Sequence, residues 1–223
     1  SWLFSIEINE VGSWPLLRIA AMHRICFIDD DREFEIPLFE QVFGDVYDVI
    51  ADDSYDGAQK KIHQRPAWQP DLFVLDLYFP SGEPNADAVS QLGRSTAEFE
   101  DDRAEMRAAY TNYVRAESRL RAVLGAYRQG PEGGLQIARR AARDYPHVPV
   151  VFYSRKATFE DAVRCMAVDG VWWLEKKPTG DSDGDTRRRT LAAKPRIVQR
   201  LNAVISRTNE QQTMAIKRSA ADV

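Results

Sequence analysis

Five short apolar segments, each followed by a stretch with helical spacing, constrain the fold of this chain more than any other feature. The apolar segments are residues 24–28, 47–51, 71–77, 150–153 and 171–174. The helical patterns cover residues 32–43, 54–64, 134–144, 158–168 and 190–206. Strands that are apolar on both faces and alternate with helices are typical of a parallel sheet with helices on both sides. The alternation therefore predicts an α/β fold with a doubly wound, five-stranded parallel sheet.

Polar side chains stand at the carboxyl ends of four of these strands. Asp29 and Asp30 follow the first strand, and Asp76 lies at the end of the third. Ser154 follows the fourth strand, and Lys177 comes shortly after the fifth. Ligands of doubly wound sheets bind outside the carboxyl ends of the strands. We therefore expect these five side chains to converge at one edge of the sheet.

The chemistry of these residues favours a phosphoryl-accepting metal site. Three carboxylates in one place repel one another unless a cation neutralises them, and oxygen ligands of this kind suit Mg²⁺. A carboxylate beside Mg²⁺ can attack phosphorus and form an acyl phosphate. Lys177 and Ser154 offer a cation and a hydroxyl donor for the new charge. A single aspartate at a strand end is more often a helix cap, and we interpret Asp31 in that way.

These polar strand ends lie in four segments, namely "ICFIDDD" (25–31), "DLFVLDLYFP" (71–80), "VPVVFYSR" (148–155) and "GVWWLEKKP" (170–178). In their order, and in their spacing outside one insertion, the segments resemble the receiver domains of two-component response regulators (CheY-like). The resemblance covers residues 22–80 and 134–206. It implies a flavodoxin-like sheet in which the five strands have the order 2-1-3-4-5.

The resemblance also implies a role for each matching carboxylate. Asp76 would accept the phosphoryl group. Asp30 would bind Mg²⁺ directly, and Asp29 would bind it largely through water. Asp76 and the backbone carbonyl of Tyr78 would complete the metal ligands.

On the phosphoryl side of the site, the resemblance implies that Ser154 hydrogen-bonds the transferred group and that Lys177 pairs with it. It also implies that the Lys177–Pro178 peptide bond is cis, since only an X-Pro bond adopts this form cheaply.

Three positions depart from the family pattern. Arg155 stands where a small residue is usual, so that it crowds the site or adds a phosphate contact. Tyr78 is bulky and is expected to shield the acyl phosphate from water. Leu174 occupies the place of the usual aromatic switch residue, and Trp173 next to it points to the opposite face of the strand. These two residues are our switch candidates.

Residues 81–133 form an insertion that separates the third strand from its helix. Ser95 and Glu98 make a capping box, which predicts a long helix from there to about Arg128. Apolar residues recur along it at heptad-like spacing, namely Phe99, Met106, Ala109, Tyr113, Ala116, Leu120, Val123 and Tyr127. We predict an arm for partner binding or for a homodimer through residues 95–128. The alternative is an arm that packs on its own domain.

The remaining sequence sets the context. The net charge of −4 gives no indication of nucleic-acid binding. No apolar run approaches the roughly 18–20 residues of a membrane span, and no secretory signal is present, so we expect a cytoplasmic location without a membrane partner. Residues 1–21 are interpreted as an N-terminal extension and residues 22–207 as the receiver domain. Residues 179–189 are predicted to be a polar loop and residues 208–223 a C-terminal tail.

The function predicted from the resemblance is that of a stand-alone phosphoreceiver, not an enzyme, which signals through protein–protein contact. Its phosphodonor would be a sensor histidine kinase or a histidine phosphotransfer protein. One alternative is a pseudo-receiver, a phosphorylation-independent interaction module, which Arg155 and Leu174 keep open. Another is an aspartate-nucleophile phosphatase of the haloacid-dehalogenase kind. That family requires a second aspartate at the position of Tyr78, which argues against it.

Overall fold

The computed structural model describes residues 22–83, 85, 87 and 102–221. In chain order, the elements are β1 (Arg24–Ile28), α1 (Glu35–Phe43), β2 (Asp48–Asp52), α2 (Tyr55–His63), β3 (Leu72–Leu75), β4 (Phe79–Pro80), α3 (Asp102–Ala126), β5 (Gln129–Gly130), α4 (Pro131–Asp144), β6 (Val150–Ser154), α5 (Phe159–Met166), β7 (Val171–Lys176) and α6 (Asp183–Ala221). None of these helices combines the length and the apolar character that crossing a membrane requires.

Five of the strands form one parallel sheet with the order β2-β1-β3-β6-β7. Counted along the main sheet alone, this order is 2-1-3-4-5, that of the flavodoxin-like fold. The predicted fold is therefore confirmed. The strand order reverses between β1 and β3, so the carboxyl ends of these two strands flank the crevice in which such folds bind ligands.

Alternate residues of the central strands face two separate apolar layers, as the two-residue period of a strand requires. Ile25 and Phe27 of β1 pack in one layer with side chains of α1 and α6. The rings of Phe27 and Phe39 stack there with their centroids 4.0 Å apart. Cys26 and Ile28 belong to the other layer, with side chains of α2, α4 and α5. Both faces of the sheet are thus covered, which explains why its central strands are apolar throughout.

Local signals in the sequence fix several helix ends. The Ser54 side chain caps α2 by accepting a hydrogen bond from the backbone N–H of Gly57 at 3.1 Å. Gly170 ends the turn after α5 with a φ of +81°, a left-handed conformation that favours glycine. Asp31 accepts hydrogen bonds from the backbone N–H groups of Glu33 and Phe34, just before α1 begins. The Asp31 carboxylate thus closes the turn before α1, whereas the N-cap residue Phe34 makes no side-chain capping hydrogen bond, so Asp31 stabilises the turn and does not cap the helix as expected.

The C-terminal helix is much longer than predicted. Since α6 begins at Asp183, the prediction of a polar loop over residues 179–189 is wrong for residues 183–189, and the predicted tail is helical as far as Ala221. Asp185 forms ion pairs with Arg188 and Arg189 at helical spacing, so the charge-rich segment supports a helix. Pro195 lies within α6 on its exposed side.

The insertion joins the domain through a short two-stranded ribbon. Strands β4 and β5 pair antiparallel, with Phe79 opposite Gly130 and Pro80 opposite Gln129. Between them, α3 covers 25 residues, or about 37 Å at 1.5 Å per residue. The predicted long helix is thus present over residues 102–126, whereas its capping box at Ser95 lies outside the described residues.

Candidate functional site

Backbone hydrogen bonds between neighbouring strands bring the predicted site residues to one edge of the sheet. The N–H of Asp76 donates to the carbonyl of Ile28 at 2.8 Å, which holds the end of β3 against the end of β1. The N–H of Lys177 donates to the carbonyl of Ser154 at 3.2 Å, which does the same for β7 and β6. The parallel register therefore determines which side chains meet.

Three carboxylates form an acidic cluster at this edge. Asp29, Asp30 and Asp76 each place one oxygen within 4.8 Å of the others. Asp29 and Asp76 are buried, whereas Asp30 is half-buried. Burial raises the pKa of Asp29 to about 7, with Asp76 adding to the shift and Lys177 opposing it. Burial also raises the pKa of Asp30. The cluster thus holds negative charge that its surroundings compensate only in part.

The ammonium group of Lys177 lies inside the cluster. The side chain is 4% exposed, and its Nζ contacts Asp29 directly while lying 3.5 Å from Asp76 Oδ1 and 3.4 Å from Glu35 Oε2. Burial alone would lower the pKa of Lys177, but the carboxylates of Asp76, Asp29 and Glu35 outweigh it and raise that pKa. Lys177 therefore stays charged, and it is shared among three acids rather than paired with one.

Ser154 brings an unused donor to the same edge. The residue is fully buried, and its Oγ has no hydrogen-bond partner among the described residues. Leaving a buried hydroxyl unsatisfied costs about 1–3 kcal/mol, so such a group is expected where a ligand will take the bond.

Tyr78 connects the loop after β3 to the start of α5. Its backbone N–H donates to Asp76 Oδ2 at 3.1 Å, and its hydroxyl donates to Asp161 Oδ2 at 2.6 Å. Burial and the Asp161 carboxylate raise the pKa of the Tyr78 phenol, so it remains a donor. Asp161 also accepts hydrogen bonds from the backbone N–H and hydroxyl of Thr158 in the capping box of α5. The hydroxyl thereby ties the Tyr78 side chain to the start of α5.

Sequence reasoning missed two residues of this site, Glu35 and Gln129. Glu35 is buried in the first turn of α1 and contacts both Lys177 and Arg155. Its position was detectable, because residues 35, 38, 39 and 42 share the buried helix face and an acid there needs a partner. Gln129 reaches from β5 to Asp30 Oδ2 at 3.5 Å and accepts a hydrogen bond from Lys156. No local signal indicates this, since the contact depends on how the insertion returns to the domain.

The switch candidates lie on opposite faces of β7. Leu174 is half-buried against the layer formed with α2, α4 and α5. Trp173 is 46% exposed, and its indole N–H donates to Glu175 at 3.1 Å. The guanidinium of Arg200 lies 5.5 Å from the centre of the Trp173 ring. Any switching role of these two residues stays a prediction.

One prediction for the site is wrong. None of the peptide bonds within the described part of the chain is cis, so the Lys177–Pro178 bond is trans. The trans form of an X-Pro bond is favoured by about 0.5–1 kcal/mol, which is the ordinary outcome unless the surroundings demand the other isomer.

The fold and the site together define a class of protein, a flavodoxin-like domain with three clustered carboxylates and a buried lysine at the carboxyl edge of its sheet, together with a buried hydroxyl that has no partner among the described residues. No family model and no curated protein matches the chain. Similar solved structures include several receiver domains.

One of them, from Methanospirillum hungatei JF-1, is 11% identical with a TM-score of 0.48, and the match covers 86% of this chain and 99% of that one. The signal receiver domain of an HD domain-containing protein from Pseudomonas fluorescens Pf-5 is 9% identical with a TM-score of 0.49, covering 90% and 98%. The HemR receiver domain from Leptospira biflexa is 17% identical with a TM-score of 0.44, covering 82% and 94%. The fold assignment rests on the sheet order and not on these likenesses.

Proposed function

We propose that this chain is a phosphoreceiver that accepts a phosphoryl group on Asp76 in a Mg²⁺-dependent reaction and signals through protein–protein contact. One observation carries the proposal: Asp29 and Asp76 of the acidic cluster share the buried ammonium group of Lys177, beside the buried hydroxyl of Ser154, which has no partner among the described residues. A cluster built only for stability would pair its charges and satisfy its hydroxyl.

The donor set fits Mg²⁺, since all three side chains offer hard carboxylate oxygens. Asp30 and Asp76 would bind the ion directly, Asp29 largely through water, and the carbonyl of Tyr78 would complete the set. When bound, Mg²⁺ supplies positive charge that neutralises phosphoryl oxygens.

The residues of the chain divide the reaction between them. An oxygen of Asp76 forms the new O–P bond while the P–N bond of a phosphohistidine donor breaks, and the electron pair leaves with the imidazole, which takes up a proton. Ser154 would donate its free hydroxyl hydrogen to a phosphoryl oxygen. Lys177, already 3.5 Å from Asp76, would pair with another. The buried Tyr78 ring would limit access of water to the product.

The phosphodonor would be a sensor histidine kinase or a histidine phosphotransfer protein, as the resemblance to receiver domains implies. The inserted arm is the surface that we propose for partner contact or for a homodimer. Its last turns pack on the domain through Leu120 and Leu124, and Arg121 forms an ion pair with Glu160 of α5 at 2.9 Å. Further along the arm, Val114 is 41% exposed.

A phosphorylation-independent pseudo-receiver is the second candidate. It is favoured by Arg155, which stands next to Ser154 and forms an ion pair with Glu35, a partner of Lys177. In that reading the ion pair closes the pocket permanently.

Incubation with acetyl phosphate or beryllofluoride and Mg²⁺ separates the two candidates. A phosphoreceiver gives a change in tryptophan fluorescence that Asp76→Asn abolishes. The control Asp169→Asn changes an exposed carboxylate before β7, at the opposite edge of the sheet, and should leave the response intact. An unresponsive protein that is folded would reject the phosphoreceiver and favour the pseudo-receiver.

A further inference from the structure

Arg155 and Glu35 form an ion pair beside Lys177 of the proposed phosphorylation site, and the phosphoryl transfer proposed above assigns no step to either of them. The guanidinium of Arg155 donates to Glu35 Oε1. The other oxygen of Glu35 lies 3.4 Å from Lys177 Nζ, which in turn lies 3.5 Å from Asp76 Oδ1. A continuous chain of charged contacts therefore leads from Arg155 to the acceptor carboxylate.

Two donors at the end of β6 are left unused. The Nε of Arg155 is buried without a hydrogen-bond partner within the described residues, as is the Oγ of Ser154 directly before it. Buried polar groups are nearly always bonded, so two adjacent exceptions need a common explanation. An incoming anion with several acceptor oxygens provides one, and a guanidinium is suited to phosphate because its donors form a planar fork.

Glu35 keeps the two cations occupied in the resting protein. Its side chain is 8% exposed, and it contacts both Arg155 and Lys177. A phosphoryl group carries more negative charge than a carboxylate and offers three acceptor oxygens. Such a group on Asp76 would compete with Glu35 for the same two partners.

We infer that Arg155 is a phosphoryl-binding residue of this site and that it stays paired with Glu35 until Asp76 is phosphorylated. This inference rests on the proposed phosphoreceiver function. By pairing with both cations, Glu35 stabilises the site without a phosphoryl group and lowers the affinity of the site for that group. Since Glu35 lies in the first turn of α1, the exchange of partners also loosens that turn.

The test is a double-mutant cycle with Glu35→Gln and Arg155→Ala, using beryllofluoride with Mg²⁺ as the phosphoryl analogue and fluorine NMR to count the bound form. Glu35→Gln frees Arg155 and should raise the affinity about 10-fold, the order expected of one charge-assisted hydrogen bond. In the Arg155→Ala background the same change should raise it only about two-fold, through Lys177 alone. Glu40→Gln, an exposed acid on the same helix, is the matched control and should have no effect.

An equal increase in both backgrounds would overturn the inference, because Glu35 would then act by its charge alone. Should Arg155→Ala fail to fold, Arg155→Lys preserves the ion pair, and it should reduce the 10-fold increase to about three-fold because a lysine lacks the forked donors. An undiminished increase in that variant would also overturn it. If the wild-type protein binds no beryllofluoride, the phosphoreceiver function itself is rejected. This outcome is distinct from binding that Glu35→Gln strengthens equally with and without Arg155, which would reject only the present inference.

Discussion

Replacing Lys177 by methionine tests how far the acidic cluster depends on its one buried cation. The side chain is 4% exposed and contacts three acids, Asp29, Asp76 and Glu35. Removing one partner of a buried charge pair costs about 3–5 kcal/mol, because the other charge is left uncompensated. Domains of this size are stable by about 5–15 kcal/mol. We therefore expect Lys177→Met to remove about a fifth or more of the free energy of unfolding at pH 8 without Mg²⁺.

The pH dependence of this loss follows from Asp29. Its pKa in the folded protein is about 7, above the ordinary value of 3.8, so between these values the native state binds a proton that the unfolded state lacks. The contribution of this group to stability therefore falls as pH rises through that window. Lys177 opposes the shift, so the pKa of Asp29 should rise further in Lys177→Met. At pH 5.5 Asp29 is then protonated, and the loss should be smaller than at pH 8.

Urea denaturation followed by circular dichroism, in EDTA and in Mg²⁺, measures these effects. The matched control is Lys194→Met, which removes a surface ion pair with Asp45 and should cost about 0–1 kcal/mol. Mg²⁺ should recover part of the loss in Lys177→Met by replacing the missing charge. A loss below about 1 kcal/mol at pH 8, or one that is the same at pH 5.5, would refute the electrostatic reasoning.

Three further predictions concern the metal, the insertion and its connection to the site. Mg²⁺ at 100 times its dissociation constant should stabilise the protein by about 2.7 kcal/mol, and by less at pH 5.5, where a proton competes for Asp29. An equal shift in Asp30→Asn would contradict the assigned ligands. Gln129→Ala should weaken Mg²⁺ binding by a few-fold at unchanged thermal stability, because it removes the hydrogen bond that orients the Asp30 carboxylate. The control Gln136→Ala, at an exposed position, should leave Mg²⁺ binding unchanged. Replacing residues 88–119 by a short flexible linker should leave phosphorylation of Asp76 intact but abolish self-association or partner binding; unchanged association by light scattering would reject the arm as an interaction surface.

The sheet was predictable because its signals are local. Each strand is a short apolar run, and the polar residue that ends it also marks the carboxyl edge, so Asp29, Asp76 and Ser154 could be assigned to one place before any coordinates. The strand order followed from the resemblance and not from the pattern, since periodicity does not specify which strands are neighbours.

The parts that sequence reasoning missed depend on contacts between distant segments. The composition of the charge-rich start of α6 is typical of a loop, but ion pairs of Asp185 at helical spacing support a helix there. Beyond Pro195, the buried side chains of Ile197, Leu201 and Ile205 pack the helix against the domain. Gln129 contacts Asp30, which lies 99 residues earlier in the chain. The contact depends on the pairing of β4 with β5, and these two-residue strands have no recognisable sequence pattern.

The central claim, that Asp76 is the phosphoryl acceptor, is tested most directly by intact-protein and peptide mass spectrometry after incubation with acetyl phosphate and Mg²⁺. The account predicts a mass increase of one phosphoryl group, located on Asp76 and absent from Asp76→Asn. A modification that persists in Asp76→Asn, or a folded protein that gains no phosphoryl group, would contradict it.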